Sequence, residues 1–385
     1  METPLPLAKR ILFPLLSIVI GVVALMLFGE VVFRILPTNQ GLRAQIVNEA
    51  QPIFRFQPNR NAQWSQDWNF KLANRLHVNN AGFVNEQDYV SADKTPLMAV
   101  VGDSFIEAAI VPPKATVHAR LQSHVGATAR VYSFAAAGAG LPQYLIWARH
   151  ARDTYKPDLV LINIIPNDFD ESLHFIEHSP GFWRFEKKPD GSAAWRLTEY
   201  DPSLTRRMFR QSALAMYLTL NARLHTLINS KQPVALSFNA KDQRWVGNIA
   251  AMAPEERLRE YRWAVDRFLG FLPEYSGVAT DRIILCFDGY RPQMYANDAG
   301  ELAFARASTW GKMRAYMMQK AAEAGITTID LEAVFTAHYA KNRQRFEPPS
   351  DNHWNGVGHG ALADAVMDTA VFKRVLEPAK STTSR

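Results

Sequence analysis

A single cysteine, Cys286, occurs in 385 residues, which excludes an intrachain disulfide and every C-x-x-C metal or redox motif. In the apolar run Arg282–Phe287 it reads as a small buried hydrophobe. The chain has no run of five or more like charges, and its net charge of +6 is spread over 43 Lys+Arg and 37 Asp+Glu. It therefore lacks the basic stripe, arm or reading helix of a nucleic-acid partner. Internal repeats and low-complexity tracts are also missing. At 48% hydrophobic residues, the chain has material for one large core or two modest ones.

One long apolar run stands out. Residues 11–33 (ILFPLLSIVIGVVALMLFGEVVF) come to about the ~20 residues a helix needs to cross a bilayer. Glu30, its only charge, lies near one end, within reach of the interface. Pro14 lies near the other end, where a missing N–H is tolerated. The run exceeds the ~7–15-residue core of a signal peptide and no A-x-A-like site follows, so it predicts an uncleaved transmembrane anchor preceded by residues 1–10, a segment that is cytoplasmic only on the resemblance given below. Lys9 and Arg10 precede it and Arg34 and Arg43 follow, which leaves orientation undecided by charge.

Residues 34–96 read as a connecting region, with Asn79, Asn80 and Gly82 turning between two short antiparallel strands. From 97 to 375 apolar runs and helical spacings alternate. Strands are predicted at Leu97–Val101, Ala129–Phe134, Asp158–Ile165, Arg282–Phe287 and Ile326–Leu331, and helices at Thr116–His124, Leu141–Tyr155, Ala307–Ala324 and Gly358–Phe372. Such alternation implies an α/β fold with a parallel sheet covered on both faces. An insertion over about 170–280 interrupts it. It carries a hairpin at Phe182–Leu197 turning at Pro189-Asp190-Gly191, then helical stretches at Thr205–Asn229 and Pro254–Phe271. It reads as a cap on the core that also has the position to line a substrate groove. Residues 376–385 read as a disordered tail.

Four short blocks end on strand or helix boundaries: Gly102-Asp103-Ser104-Phe105, Ser133 to Gly140 (SFAAAGAG), Pro166-Asn167-Asp168, and Asp351-Asn352-His353-Trp354-Asn355. Gly-Asp-Ser alone is also an ordinary loop in which Asp or Ser caps the next helix. In this order the blocks resemble those of the SGNH (GDSL-like) hydrolase superfamily, over roughly residues 97–373 without the insertion. The resemblance implies a three-layer α/β/α sandwich with a flavodoxin-like parallel sheet. It also implies Ser104 as nucleophile, His353 as its base and Asp351 as the group that orients the ring. The oxyanion hole would come from the backbone N–H of Ser104, the N–H of Gly138 and the side-chain amide of Asn167. An ester carbonyl under attack needs such a base and such pre-aimed donors.

Three departures from the family pattern matter. The second block has Ser133 and Ala135 where Asn and an earlier glycine are common, so Gly140 remains an alternative to Gly138. Ile165-Pro166 precede Asn167 in place of Gly-x. The last block is Asp351-x-His353, whereas Asp-x-x-His is usual. That spacing is similar to SGNH-like domains of alginate-type exopolysaccharide O-acetylation proteins, which implies an acylated carbohydrate substrate, polysaccharide-assembly partners and an extracytoplasmic catalytic domain on the inner (cytoplasmic) membrane. No metal or organic cofactor is implied.

Other candidates read as structural. His359 is expected to cap or face solvent, Asp168 and Asp170 to serve turns or caps, and His174 and His178 to lie on the surface. Trp183, Trp195 and Trp354 are expected to pack in the core. The leading expectation is a serine-dependent esterase or O-acyltransferase acting through an acyl-Ser104 intermediate. A non-catalytic glycan-binding scaffold and a membrane-anchored lipase are the alternatives.

Overall fold

A computed structural model describes residues 7–224 and 244–377. Within it, residues 7–42, 62–75 and 202–224 form a smaller compact unit, and residues 43–61, 76–201 and 244–377 a larger one. The region 170–280, expected as one insertion, is thus divided between the two. Most of the expected tail, 378–385, lies outside the described residues, as do residues 1–6.

In the smaller unit α1 (Leu7–Ile35) is one continuous helix with its apolar side chains exposed from Ile11 onward. It is the one helix among the described residues long and apolar enough to cross a membrane. Near its end, the Glu30 carboxylate accepts hydrogen bonds from Ser212 Oγ at 2.6 Å and from the backbone N–H groups of Ala213 and Leu214, each at 3.0 Å. These belong to the start of the helix Ala213–Met216, where N–H groups lack intrahelical partners and favour a negative charge. The helix expected over Thr205–Asn229 is consequently broken. A first piece, Leu204–Phe209, ends before Ser212, which accepts from Ala215 N–H and starts the next; residues beyond 224 lie outside the described part.

Strands β1 (Arg60–Gln66) and β2 (Leu72–Val78) make a two-stranded sheet, and their connection holds Asp67 and Phe70 at positive φ. The turn expected at Asn79, Asn80 and Gly82 falls after β2, where Val78 and Val84 form an antiparallel bridge.

The larger unit is built on a five-stranded sheet of β3 (Leu97–Gly102), β4 (Arg130–Ala135), β5 (Leu159–Ile164), β10 (Ile283–Phe287) and β11 (Thr327–Asp330). All neighbours are parallel, in the order β11-β10-β5-β3-β4. Every residue of β3, β4, β5 and β10 is buried, which is why β3, β5 and β10 read as nearly continuous apolar runs and not as alternating ones. Successive residues serve opposite faces. Met98, Val100, Val131, Leu161 and Ile284 join one cluster with Val117 and Leu121 of the helix Val117–Val125, Phe335 of Leu331–Asn342 and Leu362 of Gly356–Met367. The other face is covered by the helix Leu141–Tyr155, which packs on β3 and on the helix Glu255–Ser276, itself against Thr309–Glu323.

Two antiparallel hairpins precede β10: β6 (Trp183–Lys187) with β7 (Ala193–Leu197), and β8 (Trp245–Val246) with β9 (Ile249–Ala250). The helix expected at Gly358–Phe372 is split at a hydroxyl cap: Thr369 accepts from Phe372 N–H between Gly356–Met367 and Ala370–Leu376. The one expected at Ala307–Ala324 is a single piece, Thr309–Glu323, started by Ser308, which accepts from Gly311 N–H. Counted in chain order the sheet runs 2-1-3-4-5, the flavodoxin-like order. In it the connections after β3 and after β5 leave in opposite directions, opening a crevice at the carboxyl ends of these neighbouring strands.

Candidate active site

The crevice lies beside Gly102, the last residue of β3. Asp103 follows it and caps the four-residue helix Ser104–Glu107, its carboxylate accepting from Phe105 N–H at 2.9 Å. Ser104 is therefore the first helical residue, with a backbone N–H outside the helix's own ladder and a side chain at the crevice mouth. Ser104 Oγ stands 2.8 Å from His353 Nε2, and His353 Nδ1 stands 2.5 Å from Asp351 Oδ1. Asp351 Oδ1 also accepts from the backbone N–H of His353 at 2.8 Å. This is an Asx turn, and it explains how the short Asp-x-His spacing works: one oxygen holds both the backbone and the ring of the residue two positions on. With Nδ1–H donating to Asp351, Nε2 is left as the acceptor for the Ser104 hydroxyl.

The loop carrying His353 is fixed from below. Trp354 is fully buried and donates Nε1–H to Asp288 at 3.0 Å, and Asp288 pairs with the buried Arg291 at 2.9 Å. Phe105, next to Ser104, packs its ring 4.7 Å from that of His353 and 5.0 Å from that of Trp354. Burial pulls the His353 pKa down, but the hydrogen bond and charge of Asp351, with the charge of Asp103, outweigh it and leave the imidazole above its ordinary value.

The second and third blocks meet beside the first. Ala137 N–H donates to Glu107 Oε2 at 3.0 Å, tying the loop of Gly138 to the helix that begins at Ser104. At Gly140 a side chain would stand 2.7 Å from the Glu171 backbone, so the absence of one lets the same loop press onto the helix Asp168–Glu171 that follows Asn167. Leu141 N–H donates to Ser172 Oγ at 3.0 Å. Gly138, with φ +87, lies between these two ties. Asn167 directs Oδ1 at Asn248 Nδ2, 2.5 Å away, and its side chain also hydrogen-bonds the Glu171 carboxyl.

Four carboxyl groups sit under the site. Burial pushes Asp103 up to about 6 and Glu107 up to about 7. Burial and the charge of Asp103 hold Asp168 and Glu171 well above the usual carboxylate range. Asp168 is fully buried and accepts from Tyr144 OH at 2.6 Å and Ile165 N–H at 2.8 Å, a deeper version of the turn role expected for it. Asp170 pairs with Tyr261 OH and lies 3.7 Å from Arg257.

Of the other candidates, His359 is buried, not at the surface, and its Nδ1 accepts from Val117 N–H at 3.2 Å, capping a neighbouring helix. The His174 and His178 rings lie 4.9 Å apart. No group of three or more His, Cys, Asp or Glu among the described residues could hold a metal ion. Trp183 donates to Pro52 O at 2.9 Å, and Trp195 stacks on Tyr275 at 5.4 Å.

Sequence reasoning missed Asn248, Glu107 and the Asp288–Arg291 pair. Asn248 has a local signal, since Gly247-Asn248 is a two-residue hairpin turn between β8 and β9 with Gly247 at φ +64. What the sequence hides is its location: a side chain at Gly247 would stand 2.6 Å from Pro166, so the hairpin tip rests on the residue before Asn167.

No family model and no curated protein matches the chain. Among solved structures it is similar to LAE5, an α/β hydrolase enzyme from the metagenome of Lake Arreo, at 13% identity over 76% of this chain and 100% of that one, with a TM-score of 0.38. It is also similar to a variant of Axe2, an acetyl-xylooligosaccharide esterase from Geobacillus, at 15% over 77% and 100% with a TM-score of 0.36. A third is a member of the lipolytic G-D-S-L family from Veillonella parvula, at 11% over 72% and 98% with a TM-score of 0.35. Likenesses this distant assign no activity, and the chemistry rests on the residues described above.

Proposed function

We propose that this chain is a serine esterase or O-acyltransferase whose substrate is an O-acyl, chiefly O-acetyl, group on an extracytoplasmic carbohydrate polymer. The observation that supports it is the chain of contacts from Asp351 Oδ1 to His353 Nδ1 at 2.5 Å and from His353 Nε2 to Ser104 Oγ at 2.8 Å. Ser104 Oγ bonds to the carbonyl carbon as its proton passes to His353 Nε2, and the carbonyl π pair moves onto oxygen. The N–H groups of Ser104 and Gly138 and the Asn167 amide meet that charge. Collapse breaks the bond to the alcohol oxygen, which takes the proton from His353 and leaves acyl-Ser104. Water or a sugar hydroxyl then gives its proton to His353, attacks the acyl carbon and frees the serine. Asp351 keeps the ring in the required tautomer and stabilises the imidazolium.

Residues 11–33 would anchor the chain in the inner membrane with the larger unit outside the cytoplasm, where polymer and polysaccharide-assembly proteins are met. Protease accessibility of the C-terminal region in spheroplasts tests that side. The chemistry is tested by mass spectrometry after reaction with an activated acetyl ester: a +42 adduct on Ser104 is expected, absent in Ser104→Ala. Undiminished turnover in Ser104→Ala and His353→Ala would overturn the mechanism. Loss of surface-polymer acetylation on deleting the protein supports transfer, and a gain supports hydrolysis. Glycan binding without turnover would favour a scaffold, and preference for long-chain esters a lipase.

A further inference from the structure

Outside the site, the smaller unit gathers exposed apolar and basic side chains on a segment hung from the end of α1. Leu204, Met208 and Phe209 are 74%, 65% and 65% exposed. Arg206 and Arg207, also exposed, stand among them on the same short helix. Trp68, in the β1–β2 connection, is 69% exposed. The residues that follow Phe209, and through Tyr217 the backbone of Trp68, are tied to the last turns of α1. The Glu30 carboxylate takes three hydrogen bonds from residues 212–214, and Arg34 donates to Gln211 O at 3.0 Å. Tyr217 stacks on Phe33 at 3.8 Å and donates its hydroxyl to Trp68 O at 3.0 Å.

Depth follows from helix geometry. From Ile11, the first residue after Lys9 and Arg10, a rise of ~1.5 Å per residue uses up the ~30 Å hydrocarbon core at about Glu30. A segment tied to Glu30 and Arg34 therefore lies at headgroup depth, where apolar side chains dip into the acyl boundary, arginines meet phosphate and tryptophan is favoured.

We infer that Trp68 and the segment Leu204–Phe209 form a collar that docks on the surface of an anionic bilayer around the emerging α1. The inference rests on the reading of residues 11–33 as an anchor. The occupant is lipid, because the surface is continuous with the apolar helix and pairs exposed hydrophobes with positive charge.

The test uses the full chain in phosphatidylglycerol-containing vesicles, with spin labels at Ile18→Cys, Leu204→Cys, Phe209→Cys and, as an aqueous reference, Lys341→Cys; Cys286 is buried and stays unlabelled. Collision with oxygen and with a water-soluble nickel chelate reads depth. Leu204 and Phe209 labels are expected to favour oxygen several-fold relative to Lys341, at a depth between it and Ile18. Substituting both Arg206→Glu and Arg207→Glu is expected to reduce that contrast. An Ile18 label in water overturns the anchor and the collar together. With Ile18 in the bilayer, labels at 204 and 209 that match Lys341, or that neither reagent reaches, overturn the collar alone.

Discussion

Ser104 Oγ lies 2.9 Å from Asp103 Oδ2 as well as 2.8 Å from His353 Nε2, so one hydroxyl hydrogen faces two acceptors. Asp103 titrates at about 6 because it is buried. Once ionised it competes with His353 for that hydrogen, while its charge helps hold the imidazole protonated. Asn is as good a cap as Asp, so Asp103→Asn keeps the helix start and removes both effects. The acid limb of the kcat/KM profile should move to lower pH, with activity at pH 8 within about tenfold of the parent. An unmoved limb would separate Asp103 from the chemistry.

Asp351→Asn retains an oxygen for the backbone N–H of His353 but offers no charge to the ring. Loss of a triad carboxylate of this kind costs on the order of 10⁴-fold in kcat. His353 must be neutral to accept a proton, so parent activity rises with pH through a pKa held above the ordinary histidine value. In Asp351→Asn that midpoint falls. Stopped-time assays from pH 5 to 9 read both effects.

Asn248 fixes which way the Asn167 amide points: with Oδ1 engaged at 2.5 Å, the amino group is what remains for Glu171 and the oxyanion. Asn167→Ala should cost ~2.7–4 kcal/mol in the barrier. Asn248→Ala, acting through it, is expected to lower kcat by about tenfold, with KM little changed. The double variant should be no slower than Asn167→Ala, since the two residues are coupled. Additive losses would mean that Asn248 acts independently.

Burial pushes the Glu107 carboxyl up to about 7 from an ordinary 4.5. A raised folded-state pKa means stability that is complete below 4.5 and lost as pH rises to 7. The slope approaches about 1.4 kcal/mol per pH unit. Glu107→Gln keeps an acceptor for Ala137 N–H and does not titrate. Denaturant unfolding should therefore show the variant gaining on the parent between pH 4.5 and 7, then running parallel to it.

The sheet was legible because β3, β5 and β10 are buried on both faces and so must be continuously apolar, and Leu141–Tyr155 was placed to the residue. Helix ends were less so. The breaks at Ser212 and Thr369 depend on a hydroxyl turning inward to cap, while the apolar spacing runs on through them. The Ser104, His353 and Asp351 candidates came from the order of the four blocks and its resemblance to the SGNH pattern, since Gly-Asp-Ser alone is also an ordinary capping loop. Asn248 could not be picked out, because a two-residue hairpin turn does not say which loop it will rest on. His359 looked peripheral for a similar reason: its partner, Val117 N–H, is 242 positions away.

His353 and Asp351 share a single turn, two residues apart, whereas Ser104 is 249 positions from His353. The imidazole and its carboxylate consequently arrive or depart as one preassembled piece. A displacement of the short stretch around Trp354 would therefore carry the ring and the carboxylate away from Ser104 together, with the sheet left in place.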